Sequence, residues 1–417
     1  MSADTPGPKA GFRSYLHLLR IPGAPGLACW GVVGRFPIAM RSIGCLMMVA
    51  AVTGSLADAG VVAAVMLVAT GVTSPVLGRI ADRRGQRGVL LATGAGHVVA
   101  TVALLASIGL RAPLWLMVVT SVAVGCTSVS FSSFVRARWA TLAKGDLLRT
   151  AYALESVLDE AIFLLGPLLV IALATGVDPA AGLIACALLT AAGSIAVALH
   201  RRSEPPRAPV GGHGSGRAIA VSGVRVLMAC YAGMGFLLGA LDVTMVGFAQ
   251  EQGSPGLAGV FLSLTAVGSL VAGVVYGAVD WRLSQARLLS LTAGVLAVGT
   301  MPLAFATSSW AMAGLAVVAG VAIAPALIAG STLLESLAPK GTLSEGFSWL
   351  NSAGALGIAL GTATGGRLAE MDGSSLAAWA AVGGGVVAVV VSVAGRPALR
   401  TRRPAEESAP RMAVREQ

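Results

Sequence analysis

The sequence predicts an all-α integral membrane protein whose 12 transmembrane helices form two six-helix bundles, with both termini cytoplasmic. Composition is the first reason: 56% of residues are apolar and 12% charged, whereas an average soluble domain is about 25% charged. The second is a series of apolar runs of about 20 residues, each long enough to cross a hydrocarbon core of about 30 Å. The third is independent of hydropathy. With the N-terminus inside, Lys and Arg fall in the tails and inner loops, and the exceptions are Arg35, Arg41, Arg111 and Arg367.

The same features exclude other classes. A soluble chain of 417 residues would hold about two or three domains, but the apolar runs leave no room for one. The net charge of +10 does not indicate nucleic acid, because the bases are spread over short segments rather than gathered on one face. Cys29, Cys45, Cys126, Cys186 and Cys230 lie in or beside apolar runs without metal-ligand spacing, and read as small packing residues. No convergent nucleophile, base or metal cluster marks a membrane-embedded enzyme, so neither catalysis, a metal nor another cofactor is expected.

Taken in order, residues 1–27 form a cytoplasmic tail with Lys9, Arg13 and Arg20, and lack the apolar core and cleavage site of a secretory signal. The first bundle, 28–199, has spans at about 34–55, 58–80, 88–110, 113–135, 150–176 and 180–199. Residues 200–222, rich in Arg, Pro, Gly and Ser, read as a flexible cytoplasmic linker. The second bundle, 223–396, has spans at about 224–248, 256–279, 287–306, 310–335, 345–369 and 375–395, before a cytoplasmic tail, 397–417. Outer loops at 57–60, 176–179 and 250–253 carry acids or no charge, as inside-positive topology requires. Trp115 and Trp310 fall near predicted interfaces and read as aromatic-belt anchors.

Between the second and third spans stands a basic hinge, Gly78-Arg79-Ile80-Ala81-Asp82-Arg83-Arg84-Gly85-Gln86-Arg87-Gly88. By charge alone it is a solvated basic turn. Its composition and place resemble the loop between the second and third helices of the major facilitator superfamily (MFS), with Gly78, Asp82, Arg83, Gly85 and Arg87 on the motif and Gln86 where the family often has another base. About residues 28–396 resemble a 12-helix transporter of that family, of the bacterial proton-coupled drug or metabolite efflux branch. The resemblance implies that Asp82 secures the inner gate. Gly166-Pro167 resembles the Gly-Pro of the antiporter motif in the fifth helix, although Leu168 and Leu169 replace its glycine pair. Arg136 and Arg138 sit at the inner end of the fourth span, not at its middle where the family has an Arg.

Duplicated bundles should leave internal echoes. Ser74-x-x-x-Gly78 is echoed by Gly273-x-x-x-Gly277 before Asp280-Trp281-Arg282, and Tyr152 with Gly166 by Phe347 with Gly361 at the same separation. Gly357, Gly361 and Gly365 share a face suited to sliding against a helix of the other half, and Pro167 and Pro325 are expected to interrupt their helices.

Charged residues within spans are costly and mark function. Glu155 and Asp159 share a stripe with Tyr152 and Gly166, whereas Glu160 points about 100° away. Arg41 and Glu155 lie at similar depth and are expected to pair. Asp159 and Glu160 lie about 15 Å from the inner end, near the midplane. Adjacent acids cannot both ionise cheaply there, so proton coupling is expected through this pair, with Asp159, facing the cavity or the other half, as the carrier in preference to Glu160, which faces its own bundle. Paired structural acids are the alternative. Asp242, Trp349 and Asn351 are candidates for solute contact, Glu335 and Glu345 sit at inner helix ends, and His97 reads as a packed residue.

The expected function is secondary active transport of a small molecule across the cell membrane by alternating access, as proton-coupled efflux of a drug or metabolite. A proton-coupled importer or facilitator of a small polar solute is the alternative, and a membrane-embedded enzyme a distant one. The implied partners are solute, protons and the lipid bilayer, with no nucleic acid, and the protein is expected to be monomeric, with the proton gradient as its energy source.

Overall fold

The computed structural model describes residues 13–128, 130–207, 217–254, 257–279, 281, 283–339 and 341–399. The outermost parts of both tails, the middle of the linker, and Asp280 and Arg282 of the second hinge lie outside the described residues.

A short amphipathic helix α1 (Arg13–Arg20) precedes α2 (Ala24–Thr53), α3 (Leu56–Arg84) and α4 (Gln86–Gly109). Helices α5 (Leu114–Cys126) and α6 (Phe131–Leu142) are two parts of one passage, followed by α7 (Gly145–Gly176) and α8 (Ala181–Leu199). The second half repeats this order in α9 (Ser222–Glu251), α10 (Leu257–Ala278), α11 (Gln285–Thr300), α12 (Ser309–Gly320), α13 (Ile323–Leu337), α14 (Leu343–Ala394) and a final turn, α15 (Arg396–Leu399). Among the described residues, 11 helical segments are long and apolar enough to cross a membrane. The longest, α14, has 52 residues and is two helices joined at Asp372 and Gly373, whose backbones are not helical.

The first passage begins at Ala24, ten residues earlier than the apolar pattern predicts, because Pro25 stands in its first turn and Arg35 is carried inside the helix. The fourth and tenth passages are each broken, at Thr127–Ser130 and at Val321–Ala322. Pro167 does not interrupt its helix: α7 runs through it. Pro325 lies in the first turn of α13, where a missing N–H costs no helical bond.

The glycine face of α14 also corrects the expectation of sliding between halves. A Cβ on Gly357 or Gly361 would strike the carbonyl oxygens of Ala232 and Phe236 on α9, a helix of the same bundle. This is fixed close packing of two backbones.

One hydrophobic cluster joins the two halves, through Leu18, Trp139, Tyr152, Tyr231, Tyr276, Leu333 and Phe347. The remaining clusters each belong to one bundle. The shared cluster lies at the end of the molecule that bears α1, the Gly78–Gly88 hinge and the linker, the basic end. Tyr152 and Phe347, the echoed aromatics, meet there edge to face with ring centroids 5.8 Å apart.

Candidate functional site

At the basic end the halves are held along two seams related by the internal repeat. In the first, Asp82 at the end of α3 accepts hydrogen bonds from the backbone N–H of Ser344 (3.2 Å) and Glu345 (2.8 Å). These are free donors in the first turn of α14. The helix's own N-cap, Thr342, bonds to the Pro339 carbonyl instead, so a carboxylate from the other half caps the helix and meets its positive dipole end. Gly78 lets the helices approach: a Cβ there would lie 2.7 Å from the Ser344 carbonyl oxygen. Gly85 takes φ +95, a conformation open to glycine, and turns the chain from α3 into α4.

Gln86 is buried and forms a relay, its Nε2 donating to Ser344 Oγ (2.8 Å) while its Oε1 accepts from Arg138 Nε (2.7 Å). A base at this position would face Arg138, which accounts for the departure from the family pattern. Arg138 also donates to the His200 carbonyl (2.8 Å) and Ser203 Oγ (3.0 Å), and Glu204 accepts from the Arg87 backbone N–H (3.0 Å). The start of the linker is thus docked on the first bundle, contrary to a wholly flexible linker. His200 lies beyond the spans, and burial followed by the charge of Arg138 lowers its pKa from the ordinary value. Arg83 is exposed.

Higher along this seam Ser352 Oγ donates to the Gly71 carbonyl (2.9 Å), and Asn351 Nδ2 donates to Ser130 Oγ (3.2 Å) and Ser133 Oγ (3.1 Å). Asn351 therefore ties α14 to the break before α6. Trp349 is half-buried. The second seam joins α7 to α10. Thr150 donates to the Gly277 carbonyl (3.2 Å), Gly273 faces Val157, and Ser269 Oγ donates to Glu160 (2.7 Å) while accepting from the Ala324 N–H (3.2 Å).

Behind the seams lies a buried charge network, and here the structure corrects two expectations. Arg41 does not pair with Glu155. Arg35 does, Nη1 standing 2.5 Å from Glu155 and 2.9 Å from Asp159, with Arg35 1% and Glu155 0% exposed. Trp139 Nε1 donates to Glu155 (2.7 Å), and Arg136 reaches the other oxygen of Asp159 at 3.0 Å. Asp159, 22% exposed, is thus held by its own bundle, and Glu160 is the acid that reaches the other half, the reverse of the predicted division. Arg41 donates instead to Ser128 and to Thr70 Oγ1 (3.3 Å). Gly166 is buried against Ala39, so its place is a packing contact, and Pro167 is half-buried beside it.

Toward the opposite end, Asp242 opens on a cleft of about 510 Å³ between α9 and α14. Its lining includes Val243, Val246, Glu251, Thr362 and Glu370. Among the described residues no group of His, Cys, Asp and Glu is placed to hold a metal ion.

Arg35 and Arg136 are the site residues that sequence reasoning missed. The signal was present in Arg35, a base off the inside-positive pattern, but an assumed helix start near residue 34 made it interfacial.

The description of the Major Facilitator Superfamily matches the chain over residues 36–238 and 227–416. No curated protein matches the sequence significantly. Among solved structures, the human organic anion transporter MFSD10 (TETRAN) is similar at 15% identity and TM-score 0.68, with 91% of this chain and 99% of that one covered. A bacterial homologue of the iron transporter ferroportin in an outward-facing state is similar at 16% identity and TM-score 0.71, with 89% and 99% covered. At these identities the likeness to solved structures is one of fold.

Proposed function

The chain belongs to the Major Facilitator Superfamily, whose fold implies passage of a small solute across a membrane, and from that premise we propose that it is a proton-coupled exporter of a drug or metabolite in the cell membrane. In this reading α14 supplies the last two of twelve passages and the basic end is cytoplasmic. The supporting observation is the pairing of a closed seam at the basic end with a network of ionisable side chains just behind it. The shared cluster and the Asp82 cap close the basic end between the halves, as one state of alternating access needs, and the acid-lined cleft at Asp242 lies within the second bundle, between α9 and α14.

Asp159 is clamped by two guanidiniums, whereas Glu160 meets a hydroxyl of the moving half and no cation pairs with it among the described residues. Glu160 is therefore the proton carrier in this reading, and Asp159 with Arg35 and Arg136 the fixed charge beside it. Protonation of Glu160 changes what it offers Ser269 across the seam, which couples charge to the fit of the halves. The cleft acids Asp242, Glu251 and Glu370 favour a cationic solute. Proton-coupled import of a small polar solute uses the same parts in reverse.

The test is a panel of cationic and neutral dyes and antibiotics on cells with and without the gene, with and without a protonophore. Gene-dependent efflux abolished by the protonophore supports export. Gene-dependent uptake that collapses with the gradient establishes import in its place.

A further inference from the structure

We infer that the first bundle holds a binding site for a small monovalent anion, of halide or nitrate size, at Arg41. The site is separate from the network of Arg35, Glu155 and Asp159, and the inference does not rest on the proposed direction or coupling of transport.

Arg41 lies deep within α2 and is 6% exposed. Its two Nη atoms donate to neutral oxygens, Ser128 Oγ and Thr70 Oγ1. Both hydroxyls are already committed to their own helices, Thr70 donating to the Met66 carbonyl (2.9 Å) and Ser128 to that of Val124 (2.7 Å). They disperse the charge but do not neutralise it. No carboxylate among the described residues pairs with Arg41, because Arg35, six residues or about 9 Å earlier on the same helix, takes both Glu155 and Asp159.

Donors remain free around this cation. Arg41 Nε has no partner, and neither has Nε2 of His97, a residue 1% exposed; Nε2 donates to an ion in the tautomer that carries the ring proton there, in which Nδ1, 3.4 Å from a Ser128 hydroxyl already committed to Val124, makes no hydrogen bond. Thr101 Oγ1, one turn along α4 on the face of His97, is also unpartnered. A permanently charged guanidinium with an open donor, beside an imidazole with an open nitrogen, is an incomplete arrangement in a membrane interior. One anion completes it.

The location has a physical reason. Ser128 sits in the break between α5 and α6, and Gly125 allows that passage to press against α3 at Met66 and Thr70. The repeat places Gly320 against Thr265 and Ser269 in the same way beside the break between α12 and α13. There the hydroxyl of Ser269 meets the carboxylate of Glu160. The equivalent hydroxyl in the first bundle meets a cation whose counter-charge no described side chain supplies. The close burial of Arg41, His97 and Ser128 argues for a small ion of single charge rather than an organic acid.

The purified full-length protein is heated at constant ionic strength while sodium gluconate is replaced stepwise by sodium bromide. Binding to the folded state raises the unfolding temperature along a saturating curve. The expected result is a rise of several degrees that saturates, is abolished in Arg41→Gln, needs at least tenfold more bromide in His97→Phe, and is intact in Trp115→Phe. If Arg41→Gln does not fold, the double variant Thr70→Val, Ser128→Ala retains the charge, and an anomalous bromide peak beside Arg41 Nε in the wild-type protein gives a second readout. An unfolding temperature indifferent to bromide, one that drifts without saturating, or a saturating response that survives in Arg41→Gln overturns the site.

Discussion

Arg35 carries more of this molecule than its place in the sequence suggests. It is fully enclosed with Glu155, and removing one partner of a buried ion pair costs about 3–5 kcal/mol because the other charge is stranded. Arg35→Gln is accordingly expected to lower the unfolding free energy by about that amount, and the double variant Arg35→Gln, Glu155→Gln to recover much of the loss. Denaturant titration in detergent reads both. A single variant as stable as the wild type would remove the ion pair from the structural account. The sequence showed that few charges lie within spans, which is why Glu155, Asp159 and Glu160 were legible. It did not show which base answers which acid, because partner choice depends on where a helix starts. A shift of ten residues in that start moved Arg35 from the interface to the interior.

Asp82 belongs to the same scale. Its hydrogen bonds to Ser344 and Glu345 replace a missing local cap, a contact with a typical worth of about 1 kcal/mol. Asp82→Ala is expected to shift the balance between closed and open basic end by about fivefold and to slow transport with normal membrane insertion. Asp82→Asn, which can still accept but lacks the charge, is expected to fall between the two. Transport in proteoliposomes distinguishes them, and normal turnover in both variants would take the hinge out of the mechanism.

Among elements, the two seams at the basic end hold the halves together. Along α3 and α14, Gly78 admits the Ser344 carbonyl at a distance that a side chain forbids. Gly78→Ala is therefore expected to hold the seam apart, lowering the yield of a disulfide between Cys residues placed at 71 and 352 in a cysteine-free background. An unchanged yield would show that the approach is not limiting. By contrast, Gly361→Val strikes the α9 backbone within one bundle and is expected to reduce folded protein rather than to shift a state, as size-exclusion profiles would show. Glycine spacing was legible in the sequence, but its partner was not. A small-residue face fits any close neighbour, and only the fold assigns α14 to α9. The breaks in the fourth and tenth passages were likewise hidden, since hydropathy continues unbroken across both.

At the scale of the whole molecule, hydropathy and charge placement were enough to predict a multi-pass membrane protein, because lipid and the inside-positive rule act on every passage at once, and the family came from the resemblance of the Gly78–Gly88 hinge. The echoes between halves were faint in sequence and are plain in three dimensions, where Tyr152 meets Phe347 and the two broken passages press on α3 and α10 alike. In the proposed mechanism, with the basic end closed and Glu160 set against Ser269, proton coupling is a property of the seam, not of one helix. Solute-induced proton release from the purified protein tests this most directly, using a solute identified by the efflux panel and comparing wild type with Asp159→Asn and Glu160→Gln. Proton release from the wild type that is lost in Glu160→Gln, with normal expression, is the predicted result. Release equal to wild type in both variants, each normally folded, would contradict it and move the coupling site to another acid, with Asp242 the next to examine.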